Sequence, residues 1–189
     1  MGTRGGWKVG QTMSGQLHLV EMGDPNTKFS MFAIDNELSY LEWVAACNIA
    51  VSNGNELPKR GINVEKPVLS HLLMRIDRAF SFGGTVRITI MLPELNFTKS
   101  LNMDSLVGKF RLVASFNSTN SKDSIFEWWE PGDASYRGLE RFGDDDWDAR
   151  TVCTDVQIAK EMFTDLFNHG NLTEVSMCQI RSAWNPKPR

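Results

Sequence analysis

The chain has 189 residues, of which 41% are hydrophobic and 23% charged, and a formal net charge of −3. That length and composition describe one globular domain with a full hydrophobic core and exclude extended disorder. A pI near 5.6 argues against a general nucleic-acid binder, which needs a basic surplus to neutralise phosphates.

Taken in chain order, the glycine-rich start is followed by a short strand over 16–21, a turn at Asp24-Pro25-Asn26 and a second strand over 28–34 with Phe29, Met31 and Ala33 on one side. Leu38, Leu41, Ala45 and Ile49 recur at helical spacing and predict a helix over 37–51, ended by Gly54. Residues 55–64 read as a polar connection. Pro67 opens a second helix, 67–80, whose apolar stripe is Leu69, Leu72, Leu73, Ile76 and Phe80. Thr85–Leu92 alternates strictly and predicts a strand with Val86, Ile88, Ile90 and Leu92 facing the core.

The stretch 94–108 reads as an irregular loop or a short strand, because its apolar positions do not keep a clean period. Residues 109–116 and 124–129 form a hairpin across the polar turn 117–123, with Phe110, Leu112, Ala114 and Phe116 inward. Glu130–Gly143 is a charged loop, and 147–153 a short extended segment. Thr154-x-x-Gln157 matches a capping box for a helix reaching Asn168, with Gly170 just beyond its end. Residues 173–180 fit a final strand or a helical turn, and 184–189 a proline-bearing tail. Mixed strands and helices with hairpins argue an α+β fold: an antiparallel, meander-like sheet packed by about three helices on one face. One domain spans 1–189, with 1–60 an N-terminal hairpin plus helix and 61–189 the main core.

Catalytic signals are sparse. His18, His71 and His169 are scattered, without a nucleophile motif beside any of them, and no glycine run has phosphate-loop spacing. Cys47, Cys153 and Cys178 are too widely spaced for structural zinc, and an apolar setting for Cys47 and Cys153 points to buried free thiols. No stretch is apolar enough to cross a bilayer and no secretion-type apolar region follows Met1, so the expectation is a cytoplasmic protein with no cofactor, no nucleic-acid partner and no membrane contact.

The unusual feature is acidic. From Glu127 to Asp148 there are eight acidic and two basic residues, a balance of −6 against +3 for the rest of the chain. Three readings compete: a solvated loop, a cation site built on the run 144–148, or a protein-binding face. Strand alternation sends Trp128 and Trp129 to opposite sides, so one ring packs inward and the other points out. Negative charge around an exposed ring suits a basic protein partner, with Glu127, Trp129, Glu130, Asp133, Asp144, Asp145 and Asp146 as the contact residues.

The segment Trp147-Asp148-Ala149-Arg150-Thr151-Val152-Cys153-Thr154-Asp155, followed by a helix with Phe163 and Phe167 and then His169-Gly170-Asn171, resembles a W-D-x-R-x-V-x-x-D group of small bacterial α+β proteins. That group is similar to immunity proteins of polymorphic and contact-dependent toxin systems. The resemblance implies a cytoplasmic inhibitor that binds a cognate toxin domain, a basic nuclease being the partner the charge favours, and occludes its active site. It also implies that Trp147 fills the core, that Asp148 and Arg150 bond locally, and that Asp155 is structural. The alternatives are a metal-assisted hydrolase using 144–148, or an adaptor that self-associates through Trp7 or Trp184.

Overall fold

The computed structural model of the protein describes residues 28–35, 61–92, 97–118, 121–132 and 135–183. The elements expected over 16–21 and 37–51, the Asp24-Pro25-Asn26 turn, and Trp7, His18, Cys47, Asp133 and Trp184 lie outside those residues. In chain order the described elements are β1 (Lys28–Asp35), β2 (Gly61–Glu65), α1 (Leu69–Phe82), β3 (Gly84–Leu92), β4 (Phe97–Leu106), β5 (Lys109–Ser118), β6 (Ser121–Trp128), β7 (Leu139–Phe142), β8 (Asp145–Asp148), a 3-10 turn (Ala149–Thr151), α2 (Val156–His169), α3 (Glu174–Met177) and β9 (Ile180–Ser182). Among the described residues seven strands make one antiparallel sheet in the order β2-β1-β3-β4-β5-β6-β9, and β7 pairs with β8 alone. The class is α+β, as the mixed order of elements indicated.

Alternation along the strands sorts the sheet into two faces. Met31, Val86, Ile88, Leu101, Met103, Phe110 and Leu112 are buried on one of them, in a single cluster with Leu72, Ile76 and Ala79 of α1 and Ala159, Met162, Phe163 and Leu166 of α2. α1 therefore presents the stripe its spacing predicted. Each such large apolar side chain contributes roughly 1.5–3 kcal/mol on burial. The residues between these positions, among them Arg87, Asn102, Arg111 and Glu127, lie on the other face.

β4 corrects the sequence reading of 94–108. It is a ten-residue central strand whose inward positions are Phe97, Lys99, Leu101, Met103 and Ser105. A lysine in the middle of the inward row hid the period. Lys99 is fully buried: its Nζ donates to the Gly170 carbonyl at 3.1 Å and to Asn171 Oδ1, and sits 5.6 Å from the Phe97 ring centre. Gly170 caps α2 in the left-handed conformation, φ 63°, with its N–H bonded to the Leu166 carbonyl. The ammonium thus supplies donors that solvent would give to a helix end. The helix dipole favours a cation there, but loss of hydration prevails, and burial pulls the Lys99 pKa down to about 8.

Three smaller differences follow from local chemistry. β2 occupies part of the expected connection, too short a run for its Ile62 and Val64 to register as alternation. The N-cap of α2 is Asp155, not Thr154; Asp155 Oδ1 accepts from the Gln157 N–H at 3.0 Å, the bond that fits a short carboxylate at the cap. Residues 173–180 hold both α3 and the start of β9. Cys153 is buried, exchanges two 2.8 Å backbone bonds with Phe110, and has its thiol pushed up to about 11 by burial, while Cys178 is exposed. Among the described residues no helix is long and apolar enough to cross a membrane.

The depressed Lys99 pKa has a signed consequence. In the unfolded chain the group takes up its proton near 10.5, and in the folded chain near 8, so between these values the unfolded state binds more protons and stability rises with pH. Urea denaturation of the protein and its Lys99→Met variant should show the difference in unfolding free energy moving in favour of the parent between pH 8 and 10.5, by at most about 1.4 kcal/mol per pH unit. A difference independent of pH would contradict the burial of a charged lysine.

Candidate recognition face

On the sheet face opposite the buried apolar residues, one register row runs across all seven strands: Asn63, Phe32, Arg87, Asn102, Val113, Glu127 and Arg181. Its β3–β4 part is neutral or locally paired; Arg87 Nε donates to Asn102 Oδ1 at 3.2 Å, while Asn102 Nδ2 and Thr85 Oγ1 donate to Asp104 at 2.6 and 2.9 Å. Its β5–β9 part is ionic. Glu127 accepts from Arg111 Nη2 at 3.1 Å through one oxygen and from Arg181 Nε and Nη2 at 3.1 and 2.9 Å through the other. These three side chains are only 11–15% exposed. One carboxylate therefore ties β5 to β9 through β6. Burial pulls the Arg111 pKa down, and the Glu127 charge opposes that shift.

Aromatic rings stack on these guanidinium groups. Trp128 packs into the core at 4% exposure and Trp129 lies on the opposite side, as alternation predicted. The Arg181 and Arg150 guanidinium carbons sit 3.0 and 4.2 Å from the Trp129 ring centre, and Arg150 is also 5.5 Å from that of Tyr136. Arg150 binds Asp148 through Nε and Nη2 at 2.9 and 2.6 Å; these bonds hold the Asp148 carboxyl below its ordinary range and the arginine above its own. The local Asp148–Arg150 bond agrees with what the family resemblance implied. Trp147 does not. It is half-buried outside the core, under Arg111 at 3.4 Å, because β8 belongs to a hairpin lying against the polar face.

That hairpin, β7–β8, turns through Gly143-Asp144 and is tethered by Lys109, whose Nζ reaches Glu140 Oε1 at 2.6 Å and the Arg141 carbonyl at 3.3 Å. Asp144, Asp145 and Asp146 are exposed on it.

The seven expected contact residues fare differently. Glu127 is buried in the ionic row and Trp129 is covered by two arginines, so neither projects outward. Glu130 pairs with Arg137 at 2.6 Å, and Asp146 with Arg141 at 3.7 Å. Asp133 lies outside the described residues. Among the described residues Asp144 and Asp145 remain exposed and in no ion pair, although Asp145 is near enough to Arg111 to attract it, and Tyr136 and Leu139 stand exposed in the same stretch at 61% and 64%. The segment that sums to −6 is thus largely matched by Lys109, Arg111 and Arg181 from neighbouring strands and by Arg150 from the turn that follows it. Sequence reasoning missed those partners. Alternation could have found Arg111, which is outward whenever Phe110 and Leu112 are inward, as Glu127 is between Phe126 and Trp128.

Among the described residues no three His, Cys, Asp or Glu side chains converge at metal-holding distance. Alternation along β8 sends Asp145 and Asp146 to opposite sides. His71 and His169 are both exposed and far apart in the chain.

No family model matches the chain, and no curated protein matches it. A solved structure shares its fold: a hypothetical protein from Neisseria gonorrhoeae, 10% identical, with a TM-score of 0.53 over 79% of this chain and 92% of that one. At that identity the likeness is one of fold alone. The class defined so far is an antiparallel α+β fold with an ionic and aromatic sheet face.

Removing the shared carboxylate leaves two buried guanidinium groups without it. Glu127→Gln should lower stability by about 3 kcal/mol, read as a shift in urea midpoint at unchanged slope. A loss under about 0.5 kcal/mol, the scale of ordinary surface substitutions, would show the row to be incidental.

Proposed function

We propose that this chain is an immunity-type protein: a cytoplasmic inhibitor that binds a cognate bacterial toxin domain and covers its active site. In this reading the three helices gather on one face of the sheet, and the other face, with its hairpin, meets the partner. The observation that carries the proposal is the pair Asp144 and Asp145, exposed at the hairpin tip and, among the described residues, in no ion pair, in a stretch that also exposes Tyr136 and Leu139. Unmatched charge speeds encounter with an oppositely charged protein, while an exposed ring and an apolar side chain supply the area that becomes dry on binding. A toxin that acts on nucleic acid carries a cationic cleft, and carboxylates at the tip of a projecting hairpin substitute there for phosphates.

The contact set is accordingly narrower than the acidic segment: Asp144, Asp145, Tyr136 and Leu139, with Asp146 and Glu130 at the rim. Glu127 and Trp129 serve it from beneath. Their charge and ring area are consumed within the protein, where they hold the floor against which the hairpin lies.

The test is co-expression with each reading frame adjacent to the gene, in search of a toxin-bearing one, followed by calorimetric titration of any purified pair. A one-to-one complex is expected. Asp144→Lys with Asp145→Lys should weaken it tenfold or more, mainly through slower association at low salt. Failure to form a complex would overturn the immunity reading, and affinity within twofold of the parent would remove the hairpin tip from the interface.

A further inference from the structure

We propose that the β7–β8 hairpin is a hinged arm that lifts from the sheet as a unit, with the Arg111–Trp147 stack as its latch. As a device for recognition this rests on the reading above; as a motion it belongs to the free chain and is tested there.

The hairpin forms a two-stranded sheet of its own, and its strands share no ladder with the seven-stranded sheet. An isolated pair of strands is marginal in water, so it depends on what it lies against. Among the described residues what holds it is made by side chains: the Arg111 guanidinium 3.4 Å from the Trp147 ring centre, the Lys109 tether to Glu140 and the Arg141 carbonyl, and at the end of β8 the Asp148–Arg150 pair lying on Trp129. At its base the Ala149 N–H closes onto the Gly138 carbonyl at 3.1 Å. Gly138 has φ 92° and open space where a Cβ would stand, so the chain can swing there without a steric stop.

The closed state is also compromised at its own latch. Among the described residues Arg111 Nε is buried without a hydrogen-bond partner. An unpaired buried donor costs about as much as a cation–π contact returns, and lifting the arm gives that donor back to water. Favourable stacking and an orphaned donor on the same side chain leave the closed and open arms close in free energy. Small gaps of this kind produce sub-global opening, in which one supersecondary unit detaches while the rest stays folded. The acidic tip is carried on this unit, so opening sets how far Asp144 and Asp145 can reach toward a partner.

Hydrogen exchange of the full chain, read by peptide, distinguishes the possibilities. Amides of 139–148 should exchange at least a hundredfold faster than those of β4 and β5. Trp147→Leu, and independently Lys109→Gln, should speed exchange in 139–148 tenfold or more while changing β4 and β5 less than threefold. Equal protection of hairpin and sheet in the parent would overturn the proposal, as would acceleration of both together in either variant. No acceleration of the hairpin in the Trp147→Leu variant would overturn the latch.

Discussion

A single carboxylate between two guanidinium groups organises the polar side of this protein. Glu127 stands on β6 with Arg111 and Arg181 on the strands to either side, and all three are nearly out of water. Burying three charges is costly unless each is paired and hydrogen-bonded. The register supplies that pairing, since Glu127 faces Arg181 directly across β6–β9 and Arg111 lies two residues from the Glu127–Val113 pair on β5. The rings follow from the charges. Trp129 and Trp147 lie against arginines bonded to Glu127 through N–H groups in the guanidinium plane, leaving their flat faces for stacking. The hairpin and its exposed carboxylates are placed on top of that arrangement.

On the other side of the sheet an analogous role falls to Lys99. It ties the middle of a central strand to the C-terminal end of α2, and so fixes where Asn171 and the chain leading to α3 and β9 begin. β9 in turn delivers Arg181 to Glu127. A buried cation on one face and a buried ion row on the other are thereby joined through residues 170–181. Neither is a large source of net stability, which comes from the apolar cluster. Both act to select one arrangement, because any other leaves a charge unpaired.

Legibility in the sequence tracked how far each element obeyed its own local period. α1, α2, β3 and β5 were plain because one face of each is apolar at regular spacing. β4 was obscured by Lys99, whose inward position makes sense only with the end of α2 beside it, a contact 71 residues away in the chain. The acidic segment was legible as composition and misleading as electrostatics. Counting charge along the chain gave −6, whereas Lys109, Arg111, Arg150 and Arg181 come from outside the counted stretch and neutralise most of it in space. Trp147, expected in the core, sits outside it because a two-residue turn at Gly143-Asp144 folds β8 back as a separate hairpin. Parity along β5 and β6 identifies Arg111 and Glu127 as neighbours; nothing local announces β9, which is three residues long.

Arg111 and Arg181 share Glu127 as one unit. A double-mutant cycle with Arg111→Met and Arg181→Met, read by urea denaturation, addresses that directly. With either arginine gone the other still satisfies the carboxylate, and with both gone it is buried alone. The double variant should therefore lose about 1–3 kcal/mol more than the two single losses combined. Additivity within about 0.5 kcal/mol would mean that the two contacts are independent and that no shared ion row organises this face.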